Sequence, residues 1–176
     1  MGILMFTARV HDLIHQKHEV EYKLTKLTRR MRDLQKYSTM VSKGSITVAD
    51  LLRSPGSMMG RSMSYLAFAH NSAMQYMQQN APVYQQFYMQ QMGGAQNPQQ
   101  QQMMNNYIMR TLYTQGREQA AQIEEKNLNE IEEELKAEKE KLQVEQQEIA
   151  DELKAAKEAR DADLKDWAPK YHAQAN

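Results

Sequence analysis

Apolar residues recur at alternating spacings of three and four along the first 43 residues. This is the heptad pattern of a helix that buries one narrow stripe against another helix. It predicts a basic heptad helix over residues 1–43 that runs to about Ser42 and ends at Gly44. Ten of the twelve seam positions are apolar, and Lys17 and Ser38 occupy the other two. The predicted apolar seam residues are Ile3, Phe6, Val10, Leu13, Val20, Leu24, Leu27, Met31, Leu34 and Val41.

A second long helix is predicted over the acidic residues 117–168. Its apolar residues recur every seven residues and, in a second series, every eleven residues, and these two periods favour opposite supercoil hands. We therefore expect a helix that is nearly straight or has mixed supercoiling. It should end at Asp166–Ala168, because Pro169 disfavours helix in the residue before it. Residues 169–176 form a tail. The predicted seam residues are Leu128, Ile131, Leu135, Leu142, Ile149 and Leu153.

The middle of the chain, residues 44–116, begins with capping and turn signals. Thr47 and Asp50 have the spacing of a capping box, which predicts a short helix after Thr47. That helix must stop before the turn-forming sequence Ser54–Gly56.

Further along the middle, helical spacing predicts one helix over about 58–80 and another over 83–92. Pro82 is expected to break the helix between them, because proline lacks the backbone donor that a helix interior needs. The Gly- and Gln-rich residues 93–102 have the composition of a flexible loop. Helix is expected to resume at about Met103 and to continue into the acidic segment.

The charge distribution indicates how the two long helices are partnered. Residues 1–43 carry nine Lys/Arg against four Asp/Glu, and residues 117–170 carry ten against seventeen, although the net charge is zero. We predict an all-α fold, an elongated antiparallel coiled-coil hairpin of the N- and C-terminal helices with a short-helix, Met/Gln-rich middle. A basic patch should pair with Glu130–Glu134 in preference to phosphate; it comprises Lys26, Arg29, Arg30, Arg32 and Lys36.

Composition argues against several kinds of chemistry. Without cysteine there is no disulfide, thiolate metal ligand or thiol nucleophile. His11, His15 and His18 fall at heptad positions b, f and b, away from the seam, and no fourth ligand or H-E-x-x-H motif accompanies them. No catalytic set or phosphate-binding loop is recognisable. We therefore predict no enzyme activity, no cofactor and no metal site.

Methionine is unusually frequent, with fourteen residues, most of them in the middle of the chain. Thioether clusters can hold Cu(I), but the interspersed tyrosines and phenylalanines favour packing at helix interfaces. From Ser54 to Gln115 the only charged residues are Arg61 and Arg110, and an uncharged aromatic surface is typical of a protein contact. For residues 90–106, low-complexity disorder is an equal alternative. The candidate subunit or partner contacts are Met58, Met63, Tyr65, Leu66, Phe68, Met74, Tyr76 and Met77.

This layout resembles that of flagellin-like and type III-secretion filament subunits. The resemblance covers the heptads of Ile3–Val41 and Leu128–Ile149, the absence of cysteine and the Gln/Asn-rich insert. It implies a self-assembling structural protein whose terminal helices form a filament core and whose middle lies further out. It also implies export without a cleaved signal. The acidic C-terminal helix departs from the apolar C-terminus common in such filaments.

A coiled-coil adaptor in the cytoplasm is the alternative, with the middle segment binding a protein partner and the first helix dimerising. A weaker third hypothesis is a membrane-active helper, although the sparse basic charge of Met58–Met77 disfavours it. No membrane span, nucleic-acid partner or cleavable signal peptide is predicted. The expected location is therefore the cytoplasm or, by a type III-like route, the exterior. The principal expected partner is the chain itself, as a homo-oligomer or filament.

Overall fold

The computed structural model describes residues 2–43, 46–91 and 97–167, which form helices joined by turns and contain no strand. The all-α prediction is confirmed, and the two long helices at the ends of the chain pack against each other. The elements in chain order are α1 (Gly2–Val41), α2 (Val48–Leu51), a 3₁₀ helix (Gly56–Met58), α3 (Met59–Gln91) and α4 (Pro98–Trp167).

The chain divides into two compact units. Unit 1 comprises Met1–Arg29 and Glu134–Asn176, and unit 2 comprises Arg30–Glu133. Unit 1 is an antiparallel pair formed by the first part of α1 and the last part of α4, since Arg9 pairs with Glu152 whereas Lys23 lies near Glu145.

The core of unit 1 is a stripe of branched aliphatic side chains, which is the arrangement that heptad spacing favours. Leu24, Leu142 and Ile14 pack at its margins and stay partly exposed, because two helices alone cannot enclose a seam on all sides. Arg9 and Glu152 form a 2.5 Å ion pair beside the core, but both are about half exposed, so the pair adds at most about 1 kcal/mol. The buried core residues are Val10, Leu13, Val20, Ile149, Leu153 and Ala156.

Unit 2 contains the end of α1, all of α3 and the first part of α4. Arg61 contacts Glu124 and Gln85 contacts Asn105, so α3 and α4 are antiparallel. Leu34 and Val41 on α1 are buried, as are Ile108, Leu112 and Leu128 on α4.

Just before α2, hydrogen bonds between Thr47 and Asp50 fix the backbone at the start of the helix. The backbone N–H and the hydroxyl of Thr47 both donate to the Asp50 carboxylate, at 2.9 and 2.7 Å. These bonds lower the pKa of Asp50, because they favour the ionised carboxylate. Asp50 therefore anchors Thr47, the N-cap residue of α2.

The predicted helix break at Pro82 is wrong, because α3 continues through Pro82 to Gln91. A proline inside a helix costs about 3 kcal/mol. Contacts with α4 on both sides of Pro82 offset this cost: Tyr76 lies against Gly116, and Gln85 bonds Asn105. Tertiary pairing thus maintains a helix that local propensity would interrupt.

The predicted loop over 93–102 is wrong for its second half, since α4 already begins at Pro98 instead of near Met103. Asn97 precedes the helix, and its side-chain oxygen accepts a 3.0 Å hydrogen bond from the Gln99 N–H. Proline suits the first helical position, because its missing N–H has no partner there. The Asn97-Pro98 pair is therefore a helix start signal. Residues 93–96 and 168–176 lie outside the described residues.

Candidate interaction surface

Large apolar side chains are exposed along both long helices of unit 2. We call this set the α3–α4 apolar surface. It includes the i,i+4 pairs Val83/Phe87 and Met103/Tyr107, a spacing that places each pair on one side of its helix. Monomeric proteins seldom expose large apolar patches unless these bind something. The members are Met59, Met63, Phe68, Val83, Phe87, Met89, Met103, Tyr107 and Met109.

A close crossing of α3 and α4 explains why the large residues lie outside the contact between them. A Cβ added to Gly116 would lie 2.7 Å from the Ala73 Cα and 3.0 Å from the Tyr76 Cβ. Ala73 is buried, and so are Ala69 and Ala120, which lie one helical turn from Ala73 and Gly116. Because the backbones come so close, methionine and phenylalanine side chains cannot fit there and project from the other sides of the helices.

A polar joint links the three helices of unit 2. Glu124 on α4 accepts a 2.6 Å hydrogen bond from Arg61 Nε on α3 and a 3.0 Å hydrogen bond from the Tyr37 hydroxyl on α1. The Arg61 guanidinium lies over the Tyr37 ring, 5.9 Å from its centroid. Glu124 therefore satisfies two donors at once, and Arg61 is occupied within the unit.

The joint also affects two ionisable groups. Burial and the nearby Glu124 carboxylate raise the pKa of the Tyr37 hydroxyl. The hydrogen bond to Glu124 raises the pKa of Arg61. The two raised pKa values have one consequence: the fold keeps the Tyr37 phenol neutral and the Arg61 guanidinium charged beside the Glu124 carboxylate.

Tyr37 is a core residue that the heptad pattern did not predict. It occupies a g position, which a two-helix coiled coil leaves beside the seam, yet its side chain is fully buried. The reason is that α3 supplies a third helix, whose Arg61 and Tyr65 lie near the Tyr37 side chain. A tyrosine at the edge of a seam was the only sequence signal available.

Grooves flank α3 along its length. One, of about 390 Å³, is bordered by a hydrogen bond of 2.9 Å between His70 Nδ1 and the Tyr113 hydroxyl, with Arg117 at its edge. The Arg117 guanidinium donates to the Ile46 carbonyl at 2.8 Å. Another groove, beside Val83 and Phe87, has a volume of about 370 Å³.

A further groove, of about 490 Å³, lies next to the polar joint. Phe68 and Ile123 form apolar parts of its wall, and Glu124 forms a polar part. The grooves and the exposed side chains give α3 and the first part of α4 a surface of apolar ridges and hollows, with few charges between Ser54 and Gln115.

The sequence-predicted contact residues occupy three environments. Met63 and Phe68 are exposed and belong to the α3–α4 apolar surface. Tyr65 is only 4% exposed, so it is a core residue and not an available contact. The others are half-buried: Met58, Leu66, Met74, Tyr76 and Met77.

The predicted seam residues of α1 and α4 all lie inward to some degree. The buried members outside the unit 1 core are Leu27, Leu34, Val41, Leu128 and Leu135. The half-buried members are Ile3, Phe6, Leu24, Met31, Ile131 and Leu142.

Sequence reasoning missed the exposed apolar residues beyond Met77. The exposed residues in this part of unit 2 include Val83, Phe87 and Met89 on α3 and Met103 and Tyr107 on α4. Their i,i+4 spacing was visible, but the predicted break at Pro82 and the predicted loop over 93–102 separated them into unrelated pieces. Once both helices are continuous, these residues belong to one antiparallel pair.

The basic patch of α1 is exposed at Lys26, Arg29, Arg30, Arg32 and Lys36. Two ion pairs that join helices within the units are Arg9 with Glu152 and Arg61 with Glu124. The predicted pairing of the patch with Glu130–Glu134 stays a prediction.

The histidines of α1 lie on its exposed side, and the rings of His11 and His15 are 5.6 Å apart. Within residues 2–43, 46–91 and 97–167, no group of three or more His, Asp or Glu residues is arranged to hold a metal ion. Nor does any helix in these ranges combine the length and apolar character that a membrane span requires.

Comparisons of the chain with protein-family models, with curated proteins and with solved structures found no match. The surface itself is therefore the basis for a functional proposal. Its chemistry favours binding of another apolar surface, because it combines exposed methionine and aromatic side chains with few charges.

Proposed function

We propose that this protein is a self-assembling structural protein, the subunit of a helical filament or similar homopolymer. The observation that carries the proposal is the α3–α4 apolar surface, whose large side chains are exposed in the single chain. Burying such side chains against another copy would remove apolar area from water, at roughly 25 cal/mol per Å².

The charge distribution favours a second copy of the chain as the occupant. A partner of different sequence is usually selected by complementary charges, which also suppress wrong partners. Between Arg61 and Arg110 this surface offers no charged side chain for that selection. Two copies of an uncharged surface, in chains of zero net charge, meet without repulsion.

The geometry of the surface is also compatible with open-ended growth. Ridges such as Val83/Phe87 and the groove beside Met63 and Leu66 are different parts of α3. If a ridge of one copy occupies a groove of the next, the contact is heterologous, and such contacts extend into filaments when the rotation does not close a ring. The resemblance of the chain layout to flagellin-like subunits also favours assembly, although it implies a contact through the terminal helices and not through α3 and α4.

A coiled-coil adaptor is the second candidate, and the groove beside His70 and Tyr113 favours it. Arg117 at its edge uses one of five N–H donors on the Ile46 carbonyl. An adaptor could use the remaining donors to orient a partner. It would form a small closed oligomer, not a polymer.

The first test measures assembly of the purified protein by light scattering and negative-stain microscopy over a range of protein and salt concentrations. We expect particles that grow with concentration and do not dissociate at high salt, because an apolar contact is not screened. Assemblies that dissociate as salt rises would instead indicate a contact between basic and acidic helices.

The matched variants are Val83→Asp with Phe87→Asp, against Val144→Asp as the control. Val83, Phe87 and Val144 are all more than half exposed, so none of these changes should unfold the chain. The double change places two charges on the α3–α4 apolar surface and should abolish assembly, whereas Val144 belongs to unit 1 and its variant should assemble. A fixed small oligomer at every concentration would instead support the adaptor.

A further inference from the structure

We propose that the exposed methionines of the α3–α4 apolar surface are oxidation sites, through which a peroxide prevents subunits from assembling. The inference rests on the proposed function, because it concerns the same contact. It names Met63, Met89 and Met103 as the principal sites.

Among the methionines of unit 2 that the structure describes, these three are the most exposed, at 57%, 56% and 69% for Met63, Met89 and Met103. An oxidant in solution therefore reaches their sulfur atoms without any opening of the fold. Met58, Met74 and Met77 are half-buried and less accessible. Exposure thus separates a reactive subset from the methionines that pack inside the unit.

The composition makes methionine the only sulfur target. The chain has fourteen methionines and no cysteine, so no thiol competes for the oxidant. The thioether sulfur attacks one oxygen of the peroxide, an S–O bond forms and the O–O bond breaks. With hydrogen peroxide, the sulfur loses two electrons to become a sulfoxide, and the other oxygen leaves as water. The sulfoxide can be returned to the thioether by reductases, so the change is reversible.

Oxidation changes the property on which the proposed contact depends. A sulfoxide is polar, and burying a polar group without a hydrogen bond is unfavourable. The neighbours of these methionines are mainly apolar or aromatic: Leu66 lies by the same groove as Met63, Tyr88 borders a cavity with Met89, and Tyr107 is one turn from Met103. We expect each oxidised copy to assemble more weakly.

The order of events follows from accessibility. In a free subunit the three sulfur atoms face water, whereas in an assembly the contact would cover them. Peroxide should therefore act before assembly and act slowly on preformed particles. This order is itself measurable.

The experiment treats the full chain with hydrogen peroxide, maps sulfoxide at each methionine by mass spectrometry and then measures assembly by light scattering. We expect oxidation of Met63, Met89 and Met103 to raise the concentration needed for assembly by about tenfold or more. Circular dichroism should change little, since exposed side chains contribute little to the fold. Adding peroxide after assembly should give slower oxidation at these three sites.

Two variants separate this effect from general damage. Met63→Leu, Met89→Leu and Met103→Leu together keep the apolar volume. Each protein is compared with its own untreated sample, and peroxide should not change the assembly of this triple variant. Met5→Leu is the control: Met5 is 74% exposed but belongs to unit 1, so this variant should stay as sensitive as the wild type.

The outcomes distinguish this inference from the proposed function. Wild-type protein that never assembles overturns both. Assembly that is unaffected when the three sites carry sulfoxide overturns the oxidation sites alone, and so does a triple leucine variant that assembles but remains sensitive to peroxide.

Discussion

Unit 1 and unit 2 bury their helices with different kinds of side chain. In unit 1, α1 meets α4 through valine, leucine and isoleucine, whose branched side chains fill the seam between two helices. In unit 2, α3 crosses α4 at Ala73 and Gly116, where the backbones come close enough to exclude a Cβ at Gly116. The two units therefore place their large apolar residues differently.

This difference in packing has a consequence for the surface. The seam of unit 1 buries valine, leucine and isoleucine side chains, and the large apolar residues that stay exposed there, such as Met5 and Val144, are interspersed with charged residues. The close crossing at Gly116 leaves many large apolar side chains of α3 and the first part of α4 exposed, in a segment with few charges. The pair of helices with the closest packing thus presents the most apolar exterior, which is why we place the assembly contact there.

The largest expected effect comes from placing two charges in the seam of unit 1. Leu24→Asp with Leu27→Asp introduces carboxylates where Leu27 is buried and Leu24 half-buried. We expect the free energy of unfolding of unit 1 to fall by about 4 kcal/mol or more, because buried charge without a partner is strongly unfavourable. Hydrogen exchange would locate the loss of protection in residues 3–29 and 134–165.

The control for this double change is Thr25→Asp with Thr28→Asp, which adds the same charge at exposed positions of α1. It should leave the exchange pattern nearly unchanged. If the leucine variant kept full protection in unit 1, the aliphatic seam would not be what holds these helices together.

A smaller loss is expected when the small-residue crossing of unit 2 is overfilled. Gly116→Val would place a Cβ 2.7 Å from the Ala73 Cα, and backbone atoms cannot yield as the end of a side chain can. We expect a loss of about 3 kcal/mol, measured by urea denaturation, with exchange rising in α3 and the first part of α4.

The same substitution at Gly60 is the matched control, because no atom lies within 4 Å of the added Cβ there. Gly60→Val should change stability by no more than about 0.5 kcal/mol. Equal effects at the two glycines would show that the close crossing does not set the cost, since helix propensity alone favours valine over glycine.

The smallest expected effect concerns the polar joint of unit 2. Tyr37→Phe removes the hydroxyl that bonds Glu124 and should cost about 1 kcal/mol at pH 7. The fold raises the pKa of Tyr37 above its ordinary value of 10.0, mainly through burial. The stabilisation from this group is thus complete below pH 10.0 and is lost as pH rises towards the folded-state pKa.

Unfolding measured between pH 8 and 11 would test this dependence. Wild-type unit 2 should lose stability above pH 10.0, and the Phe variant should lose less, because it has no proton to release at position 37. Tyr65 contributes in the same direction, since burial raises its pKa as well. Identical pH profiles for the two proteins would rule out the Tyr37 hydroxyl as a source of the effect.

Local and periodic features were predictable from the sequence. The heptad spacing indicated the two long helices and the all-α fold, and the Thr47–Asp50 spacing indicated the capping motif before α2. The same reasoning failed at Pro82 and at Pro98, because a proline reads as a helix breaker unless its position and contacts are known. At Pro98 the preceding Asn97 was an available signal, whereas at Pro82 the stabilising contacts with α4 are remote in sequence.

The interaction surface was predictable in composition but not in detail. The scarcity of charge between Ser54 and Gln115 indicated a contact region, yet Tyr65 belongs to the core, and Val83, Phe87 and Met103 belong to the exterior. Which side of a helix faces inward depends on which helix it meets. For α3 and α4 the inward side is marked by Ala73 and Gly116, whose small side chains give no periodic apolar signal.

The sequence by itself determined the helical class and the seam of α1 and α4, because heptad periodicity and capping depend on residues near each other in the chain. Only the tertiary structure decided that α3 continues through Pro82, that Tyr37, Arg61 and Glu124 meet, and that Gly116 sets the distance between α3 and α4. Each of these depends on residues far apart in the chain, whose contact energies outweigh local propensity only once the helices have packed.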